Sequence, residues 1–311
     1  MQVLRTPDDR FVDLPDYPFE PHYADVPDGD GGTLRVHYLD ERPDEQPDER
    51  PVGAGTVLLL HGEPSWSYLY RFMIPPLVAA GHRVVVPDQV GLGRSDKPAD
   101  MGDYTYARHV RWMSSLVFDH LDLTDVTFFG QDWGGLIGLR LVAAEPDRFA
   151  RVAVGNTGLP TGDQRPSEAF LQWQRFSQTT PVFDIGSLID AASVRDLAPA
   201  EIAAYDAPFP DDSYKAGARI WPSLVVTSPD DPEAQPNRDA WTVLRRFERP
   251  FLCCFSDRDP ITRGGDKPFR QLIPGAQDQP HRTLEGGGHF FQEDCGPELA
   301  RLLNDFIAGA L

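Results

Sequence analysis

A short turn between an apolar strand pattern and an apolar helix pattern constrains this chain more than any other feature. The run from Asp125 to Phe129 (DVTFF) is typical of a buried strand, and an apolar helical pattern starts at Gly135. Between them lies the pentapeptide GQDWG at 130–134. A strand, a tight turn and a helix in this order hold one side chain exposed at the end of a sheet. That side chain is Asp132.

The chemistry of a carboxylate at this position differs from that of a hydroxyl. A serine needs a base before it can attack, whereas a carboxylate is already ionised near neutral pH. It can displace a good leaving group from a saturated carbon, which leaves an alkyl ester that water must then cleave. We therefore expect Asp132 to be a nucleophile in substitution at carbon.

Strand and helix patterns alternate along the chain, which favours an α/β fold with a mostly parallel central sheet flanked by helices. Residues 106–121 have helical spacing. Strands are predicted at 33–39, 56–60, 83–87, 125–129, 151–155 and 251–255. Between the first two, Glu41 to Gly55 is rich in Pro, Asp and Glu and is predicted to be an exposed, flexible turn insertion.

The interval between the last two strands is too long for one crossover connection. It predicts a helical cap domain at 157–229 inserted into a core domain formed by 1–156 and 230–311. Because open α/β sheets bind ligands at the carboxyl ends of their strands, we expect the cap to cover that edge. Its aromatic residues serve its own packing as well; they include Phe170, Trp173, Phe176, Phe183, Tyr205, Phe209, Tyr214 and Trp221.

Composition excludes several classes of protein. The net charge of −19 argues against nucleic-acid binding, and no apolar run reaches the length of a membrane span. The N-terminus lacks the features of a signal peptide, so a cytoplasmic location is expected. Cys253, Cys254 and Cys295 do not form a disulfide framework and are predicted to be buried structural thiols without zinc. The acidity fits either an ordinary soluble surface or adaptation to high salt.

A nucleophile that forms an ester needs a base for the second step. His289 follows a glycine-rich turn late in the chain and is the histidine whose turn could project over Asp132, whereas His61 is predicted to order a turn after a strand. The imidazole needs an acidic partner, for which Asp259 is favoured and Asp257 is the alternative. The order Asp132, Asp259, His289 matches the nucleophile–acid–histidine order of α/β-hydrolases.

Donors for the developing charges can also be assigned. The backbone N–H groups of Glu63 and Trp133 are expected to form an oxyanion hole. The indole N–H of Trp133 suits a departing anion such as a halide, because it is a donor without an acceptor. A second donor is needed, and an ionised Glu63 side chain cannot supply it. Trp173 is the favoured candidate, with simple packing as its alternative role.

Taken together, these motifs resemble those of haloalkane dehalogenases. The matching segments are 61–71 (HGEPSWSYLYR), 91–98 (GLGRSDKP), 131–134 (QDWG), 206–210 (DAPFP) and 289–293 (HFFQE). Another subfamily carries its acid after the strand before the cap, but the chain reads Gly155-Asn156-Thr157 there, which agrees with Asp259. The chain is most similar to the subfamily in which two tryptophans, here Trp133 and Trp173, bind the halide.

This resemblance implies an α/β-hydrolase fold with a helical cap and no metal or organic cofactor. It implies hydrolysis of a small halogenated alkane by water, through an alkyl ester of Asp132, to an alcohol, a halide and a proton. We also expect a monomer that binds neither nucleic acid nor membranes.

Three other functions stay open at this point. An epoxide hydrolase would use the same triad with two cap tyrosines, for which Tyr205 and Tyr214 are available. A ligand-binding protein on the same fold should lack a complete triad. A dehalogenase of carboxylate substrates would need arginines in the pocket, and the cap has Arg165, Arg175 and Arg219.

Overall fold

The apolar runs predicted to be strands all lie in one mostly parallel sheet, as expected. We describe residues 1–43 and 55–310 of a computed structural model. Its strands are β1 Val3–Leu4, β2 His22–Pro27, β3 Thr33–Glu41, β4 Thr56–Leu60, β5 Arg83–Pro87, β6 Lys97–Pro98, β7 Val126–Gln131, β8 Phe149–Gly155, β9 Phe251–Ser256 and β10 Arg282–Leu284. Most of the predicted Glu41 to Gly55 insertion, residues 44–54, lies outside the described residues.

Helices flank this sheet. Their bounds are α1 Ile74–Ala79, α2 Tyr106–Ser114, α3 Trp133–Ala144, α4 Glu168–Thr179, α5 Ile185–Ala192, α6 Pro199–Asp206, α7 Ala216–Ile220, α8 Ala234–Leu244, α9 Asp266–Leu272 and α10 Phe291–Ala308. Among the described residues, none of the helices combines the length and the apolar composition that a membrane crossing requires.

The strand order places β7 at the centre of the sheet. In the described part of the chain the sheet runs β10-β9-β8-β7-β4-β5-β3-β2, and the short strands β1 and β6 pair separately. From β10 to β5 the neighbours are parallel, and β3 and β2 add antiparallel strands at one edge. The carboxyl ends of β4, β7, β8 and β9 therefore meet at one edge, where the turns after them can converge.

Close packing of α3 on the sheet depends on a missing side chain. Every residue of β7 is buried, and α3 begins two residues after the strand ends. A Cβ atom at Gly134 would lie 1.9 Å from the carbonyl oxygen of Leu60, the last residue of β4. No real side chain fits at that distance, so glycine allows the first turn of α3 to contact the β4 backbone.

Some predicted boundaries were wrong for local reasons. The strand predicted at 125–129 is shifted to Val126–Gln131, because Asp125 has a φ of 52° and cannot continue an extended strand. The helix predicted at 106–121 is α-helical only to Ser114 and continues as a π-helix over Ser115–His120. Strands β2 and β10 were not predicted; three of the six residues of β2 and two of the three residues of β10 are exposed.

The segment between β8 and β9 contains the helices α4 to α8. The first four of them, α4 to α7, lie in the range predicted to be a helical cap. Polar contacts join it to the rest of the chain: Thr6 Oγ1 donates to the carbonyl of Pro208 at 2.6 Å. Helix α8 packs on α3, where the Arg140 guanidinium bonds to Glu233 and Asn237 at 3.0 Å each. The domain boundaries at 156 and 229 stay a prediction.

The three cysteines are free and buried, as the sequence predicted. Cys253 and Cys254 lie in β9, and burial raises the pKa of both thiols. Burial also raises the pKa of Cys295, to about 11. All three are therefore protonated, unreactive thiols near neutral pH.

Candidate active site

Asp132 occupies a sharp turn that the surrounding backbone holds in place. Its φ of 51° and ψ of −125° lie outside the regions that most residues adopt. The Asp132 N–H donates to the carbonyl of Asn156 at 3.0 Å, and its own carbonyl accepts from Thr157 Oγ1 at 2.7 Å. The first turn of α3 adds donors from the N–H groups of Gly135 and Leu136. The carboxylate is thereby directed away from the sheet, at the carboxyl end of β7.

His289 lies between two carboxylates. Its Nε2 atom is 3.6 Å from Oδ2 of Asp132, and its Nδ1 atom is 3.1 Å from Oδ2 of Asp259. The side chain of Asp259 is 1% exposed and that of His289 is 6% exposed, whereas that of Asp132 is 19% exposed. The predicted three residues are thus brought together, and Asp132 is the most accessible of them.

Of the two candidate acids, Asp259 is the one that contacts His289. Its carboxylate also accepts from the N–H of Ile261 at 2.8 Å and from the hydroxyl of Thr262. These bonds fix the carboxylate next to the imidazole. Asp257 is exposed, and its carboxylate instead accepts from the N–H of Gly286 at 2.8 Å.

The loop after β4 supplies a donor to the same carboxylate. The backbone N–H of Glu63 donates to Oδ1 of Asp132 at 2.9 Å. This close approach requires Gly62, because a Cβ atom there would lie 2.4 Å from Cβ of Asp132. Trp133 is the first residue of α3, where a helix leaves its N–H groups free. Two backbone donors can therefore be directed at one side of Asp132.

His61 orders this loop, as the sequence predicted. Its Nδ1 atom donates to the carbonyl of Gly62 at 2.9 Å, and its Nε2 atom accepts from the N–H of Gln89 at 3.0 Å. The Gln89 side chain in turn donates to the carbonyl of His61. Both ring nitrogens are thus occupied, and burial lowers the pKa of the imidazole, so His61 is a neutral structural residue.

Comparison with known proteins shows which family this chain belongs to. The family described as having the alpha/beta hydrolase fold matches residues 55–294. A haloalkane dehalogenase of Psychrobacter cryohalolentis is 58% identical to this chain over 307 residues, which cover 99% of this chain and 98% of the relative. The chain belongs to the haloalkane dehalogenase family.

This chain is also similar to other members of the family. A haloalkane dehalogenase of Mycolicibacterium paratuberculosis is 52% identical over 96% of each chain. Among solved structures, the tetrameric haloalkane dehalogenase DpaA from Paraglaciecola agarilytica NO2 superposes with a TM-score of 0.87. It is 34% identical, and the match covers 97% of both chains. The α/β-hydrolase fold and the hydrolysis of carbon–halide bonds predicted from the sequence are confirmed at the level of the family.

In this dehalogenase, His289 and the carboxylates next to it shift one another's pKa. Burial acts to lower the pKa of His289, but the carboxylates of Asp259 and Asp132 outweigh it and raise the pKa above the usual value. Burial acts to raise the pKa of Asp259, and the positive charge of His289 outweighs that and lowers it. The two neighbouring side chains of Asp259 and Asp132 therefore favour the protonated form of His289.

The side chain of Glu63 is buried close to Asp132, which affects its pKa. Burial and the nearby charge of Asp132 raise its pKa well above the usual value, although its interaction with the Trp173 side chain acts to lower it. The expectation that the Glu63 side chain cannot donate applies to its ionised form, which these surroundings disfavour. The same interaction brings Trp173 to the residue whose N–H contacts Asp132.

The indole of Trp133 is fixed by a cluster of aromatic rings. Tyr106 and Trp221 each meet it edge-to-face with ring centroids 5.0 Å apart, and His109 lies at 6.2 Å. His109 is itself buried, and desolvation lowers its pKa to about 3. A neutral imidazole here leaves the environment of Trp133 without a competing positive charge.

Asn156 is a site residue whose role sequence reasoning missed. Its side-chain amide donates to the carbonyls of Gly288 at 3.0 Å and His289 at 3.1 Å, and its oxygen accepts from the N–H of Ser256. It thus ties the ends of β8 and β9 to the turn of His289. The signal that the sequence offered for Asn156 was its position directly after an apolar strand pattern. Within the described ranges, no group of three or more His, Cys, Asp or Glu side chains is arranged to hold a metal ion.

Proposed function

We propose that this haloalkane dehalogenase works through Asp132 as nucleophile, His289 as base and Asp259 as the acid that orients the base. The observation that carries the proposal is the position of His289, with Nε2 3.6 Å from Asp132 and Nδ1 3.1 Å from Asp259. One imidazole is thus within reach of a nucleophile and of a buried acid, which is the arrangement that nucleophilic catalysis requires.

In the first step, Oδ2 of Asp132 attacks the carbon that carries the halogen. A carbon–oxygen bond forms, the carbon–halogen bond breaks, and the electron pair leaves with the halide. No proton moves in this step, so His289 is not needed as a base for it. Oδ1 is held by the N–H of Glu63, which leaves Oδ2, on the side of His289, as the attacking atom.

In the second step, Nε2 of His289 takes a proton from water, and the water oxygen attacks Cγ of the ester. Negative charge develops on Oδ1, where the N–H groups of Glu63 and Trp133 stabilise it. The bond from Cγ to Oδ2 then breaks, and Oδ2 leaves in the alcohol with a proton from the imidazole. The water oxygen remains in Asp132, and one proton is released.

Ester formation itself prepares His289 for this role. The carboxylate of Asp132 is among the causes that raise the pKa of the imidazole. Alkylation removes that negative charge, so the pKa of His289 falls and the neutral form, which is the base, becomes more populated. Loss of the charge on Asp132 therefore makes His289 available as a base only after the ester has formed.

Halide departure is assigned to the indole N–H groups of Trp133 and Trp173. The aromatic rings around Trp133 exclude water, and in such surroundings a hydrogen bond to an anion is strong. Trp173 is supported by its position next to Glu63, whose backbone N–H contacts the nucleophile. This pair of donors would place the chain in the two-tryptophan subfamily.

Epoxide hydrolysis, the alternative from the sequence, is not favoured. It would need two cap tyrosines free to protonate an epoxide oxygen. The hydroxyl of Tyr205 instead donates to Glu293, and burial raises its pKa well above the usual value. A hydroxyl held by a carboxylate in this way is not directed at a substrate.

The test is halide release from 1-bromobutane and 1,2-dibromoethane by the wild type and two variants. Wild type should release bromide continuously, Asp132→Asn should release none, and His289→Phe should release one equivalent and retain the alkyl group. Intact-protein mass spectrometry detects that ester. Asp257→Asn is the matched control, because it removes an exposed carboxylate near Asp259.

Two results would contradict the proposal. Continuous turnover by Asp132→Asn would exclude the covalent ester, and turnover of styrene oxide without bromide release by the wild type would restore the epoxide alternative. The monomer and the cytoplasmic location stay predictions. The tetramer of DpaA makes the monomer the first of these to test, by size-exclusion chromatography with light scattering.

A further inference from the structure

The turn that carries His289 is held from the core through its carbonyl groups. Asn156 donates to the carbonyls of Gly288 and His289, and the Ser256 hydroxyl donates to that of Gly288 at 2.8 Å. The Gln131 side chain adds a donor to the carbonyl of His289 at 3.2 Å. These contacts come from the ends of β7, β8 and β9.

The N–H groups of the same turn have partners in the cap and in α10. The N–H of His289 donates to the carbonyl of Ala192 at 2.8 Å. Ala192 is the last residue of α5, where a helix leaves its carbonyl groups without partners of their own. The N–H of Gly288 donates to Oδ2 of Asp294 at 2.8 Å. The catalytic turn is therefore bound to the cap as well as to the core.

Asp294 joins the turn of His289 to the cap. Its second oxygen, Oδ1, accepts from the N–H groups of Val194 at 2.9 Å and Arg195 at 2.8 Å, directly after α5. One carboxylate thus binds the backbone before His289 and the backbone of the cap. Hydrogen bonds to an ionised acceptor are stronger than those between neutral groups. We call this arrangement of Asp294 with the N–H groups of Gly288, Val194 and Arg195 the amide clasp.

The backbones that the amide clasp joins are in close contact. A Cβ atom at Gly288 would lie 2.4 Å from the carbonyl oxygen of Ala192 and 3.1 Å from Cα of Ser193. No side chain fits between the two segments. A displacement of the cap at this point must therefore be transmitted to the residue that precedes His289.

We propose that Asp294 is a positioning residue for the hydrolysis of the ester. It fixes the turn of His289 relative to the cap, so that Nε2 is aligned with the water that attacks Cγ. The proposal rests on the roles assigned to Asp132 and His289 above. Because alkylation of Asp132 needs no imidazole base, loss of the amide clasp should slow the second step and leave the first unchanged.

The experiment measures the two steps separately in Asp294→Asn and Asp294→Ala. Rapid-quench mixing with 1,2-dibromoethane gives the rate of bromide release and, by intact-protein mass, the decay of the alkyl ester. We expect ester decay to slow by roughly ten- to hundred-fold, because a misplacement of about 1 Å in a reacting group can cost about a hundredfold in rate. Asp294→Ala should be slower than Asp294→Asn, which keeps one acceptor oxygen, and the first bromide should appear at the wild-type rate in both.

Glu298→Gln is the matched control, because it removes an exposed acid from the same helix. First-order rates do not depend on the folded fraction, so partial unfolding of a variant cannot imitate the result. Equal slowing of both steps, or wild-type ester decay in Asp294→Ala, would overturn the role of Asp294. A wild type that forms no alkyl ester would instead overturn the proposed function before any variant is compared.

Discussion

The backbone N–H of Glu63 donates to Oδ1 of Asp132 across 2.9 Å, whereas Oδ2 lies toward His289. The two carboxylate oxygens are therefore not equivalent. Oδ1 is positioned to carry the charge of the tetrahedral intermediate, and Oδ2 is positioned to attack carbon. This difference persists between turnovers as long as the carboxylate does not rotate.

The first prediction concerns the origin of the oxygen in the alcohol. In heavy-oxygen water, the alcohol from a single turnover should be unlabelled, because its oxygen was Oδ2. After many turnovers, Asp132 should contain one heavy oxygen, because Oδ1 stays bound to Glu63. Mass spectrometry of the peptide around Asp132 counts the label. Two heavy oxygens would show that the carboxylate rotates, and a labelled alcohol in the first turnover would exclude the ester.

A second prediction concerns the protonation of His289. Replacing Asp132 by Asn should lower the pKa of the imidazole, because one of the carboxylates that raise it is lost. The same fall should accompany alkylation, so the rate of ester hydrolysis should rise with pH through this lowered pKa. A titration of the ring by NMR measures the pKa. Asp257→Asn, which removes an exposed carboxylate, should leave it unchanged, and an unchanged value in Asp132→Asn would refute the explanation.

The third prediction concerns the side chain of Glu63, whose pKa is raised by burial and by Asp132. Glu63→Gln should reduce kcat/KM by less than about tenfold, a loss below about 1.4 kcal/mol in the barrier. The raised pKa favours the neutral acid, and Gln has the same charge and shape as that form. Its backbone N–H, which contacts Asp132, is retained. Steady-state bromide release near neutral pH is the measurement. A loss of several hundredfold would mean that the ionised carboxylate is required.

The fourth prediction concerns a buried ion pair behind the site. The guanidinium of Arg71 bonds both oxygens of Glu293 and reaches Glu201 in the cap at 2.7 Å. Arg71→Met should lower the free energy of unfolding by about 3 kcal/mol, because it leaves a buried carboxylate with fewer partners. Denaturant titration measures this. Adding Glu293→Gln should recover part of the loss, and a change within error for the single variant would contradict the argument.

Sequence reasoning succeeded where the signal is local. The strands at 56–60 and 83–87 are short apolar runs that are buried on both faces, so composition alone fixes their bounds. Asp132 stands in a strand–turn–helix motif whose geometry requires only neighbouring residues. The structure also places His289 and Asp259 in turns at the same edge of the sheet, as predicted, and their catalytic roles stay a prediction.

Sequence reasoning failed where the decisive partner is distant in the chain. The strand β10 has two exposed residues out of three and is defined only by its pairing with β9. Asn156 looks like an ordinary turn residue until His289 is placed beside it, and Asp294 looks like an ordinary acid near the start of a helix. The pKa of Glu63 depends on burial and on a charge that only the fold brings near it.

The unusual backbone conformation of Asp132 affects how selection for stability can change such an enzyme. A non-glycine residue at φ 51° and ψ −125° costs on the order of 1–3 kcal/mol, which the rest of the fold must outweigh. Selection for heat resistance alone would therefore favour glycine at position 132, and the resulting protein would be more robust and inert. Only selection that includes turnover retains the aspartate, so directed evolution of this chain has to assay both properties together.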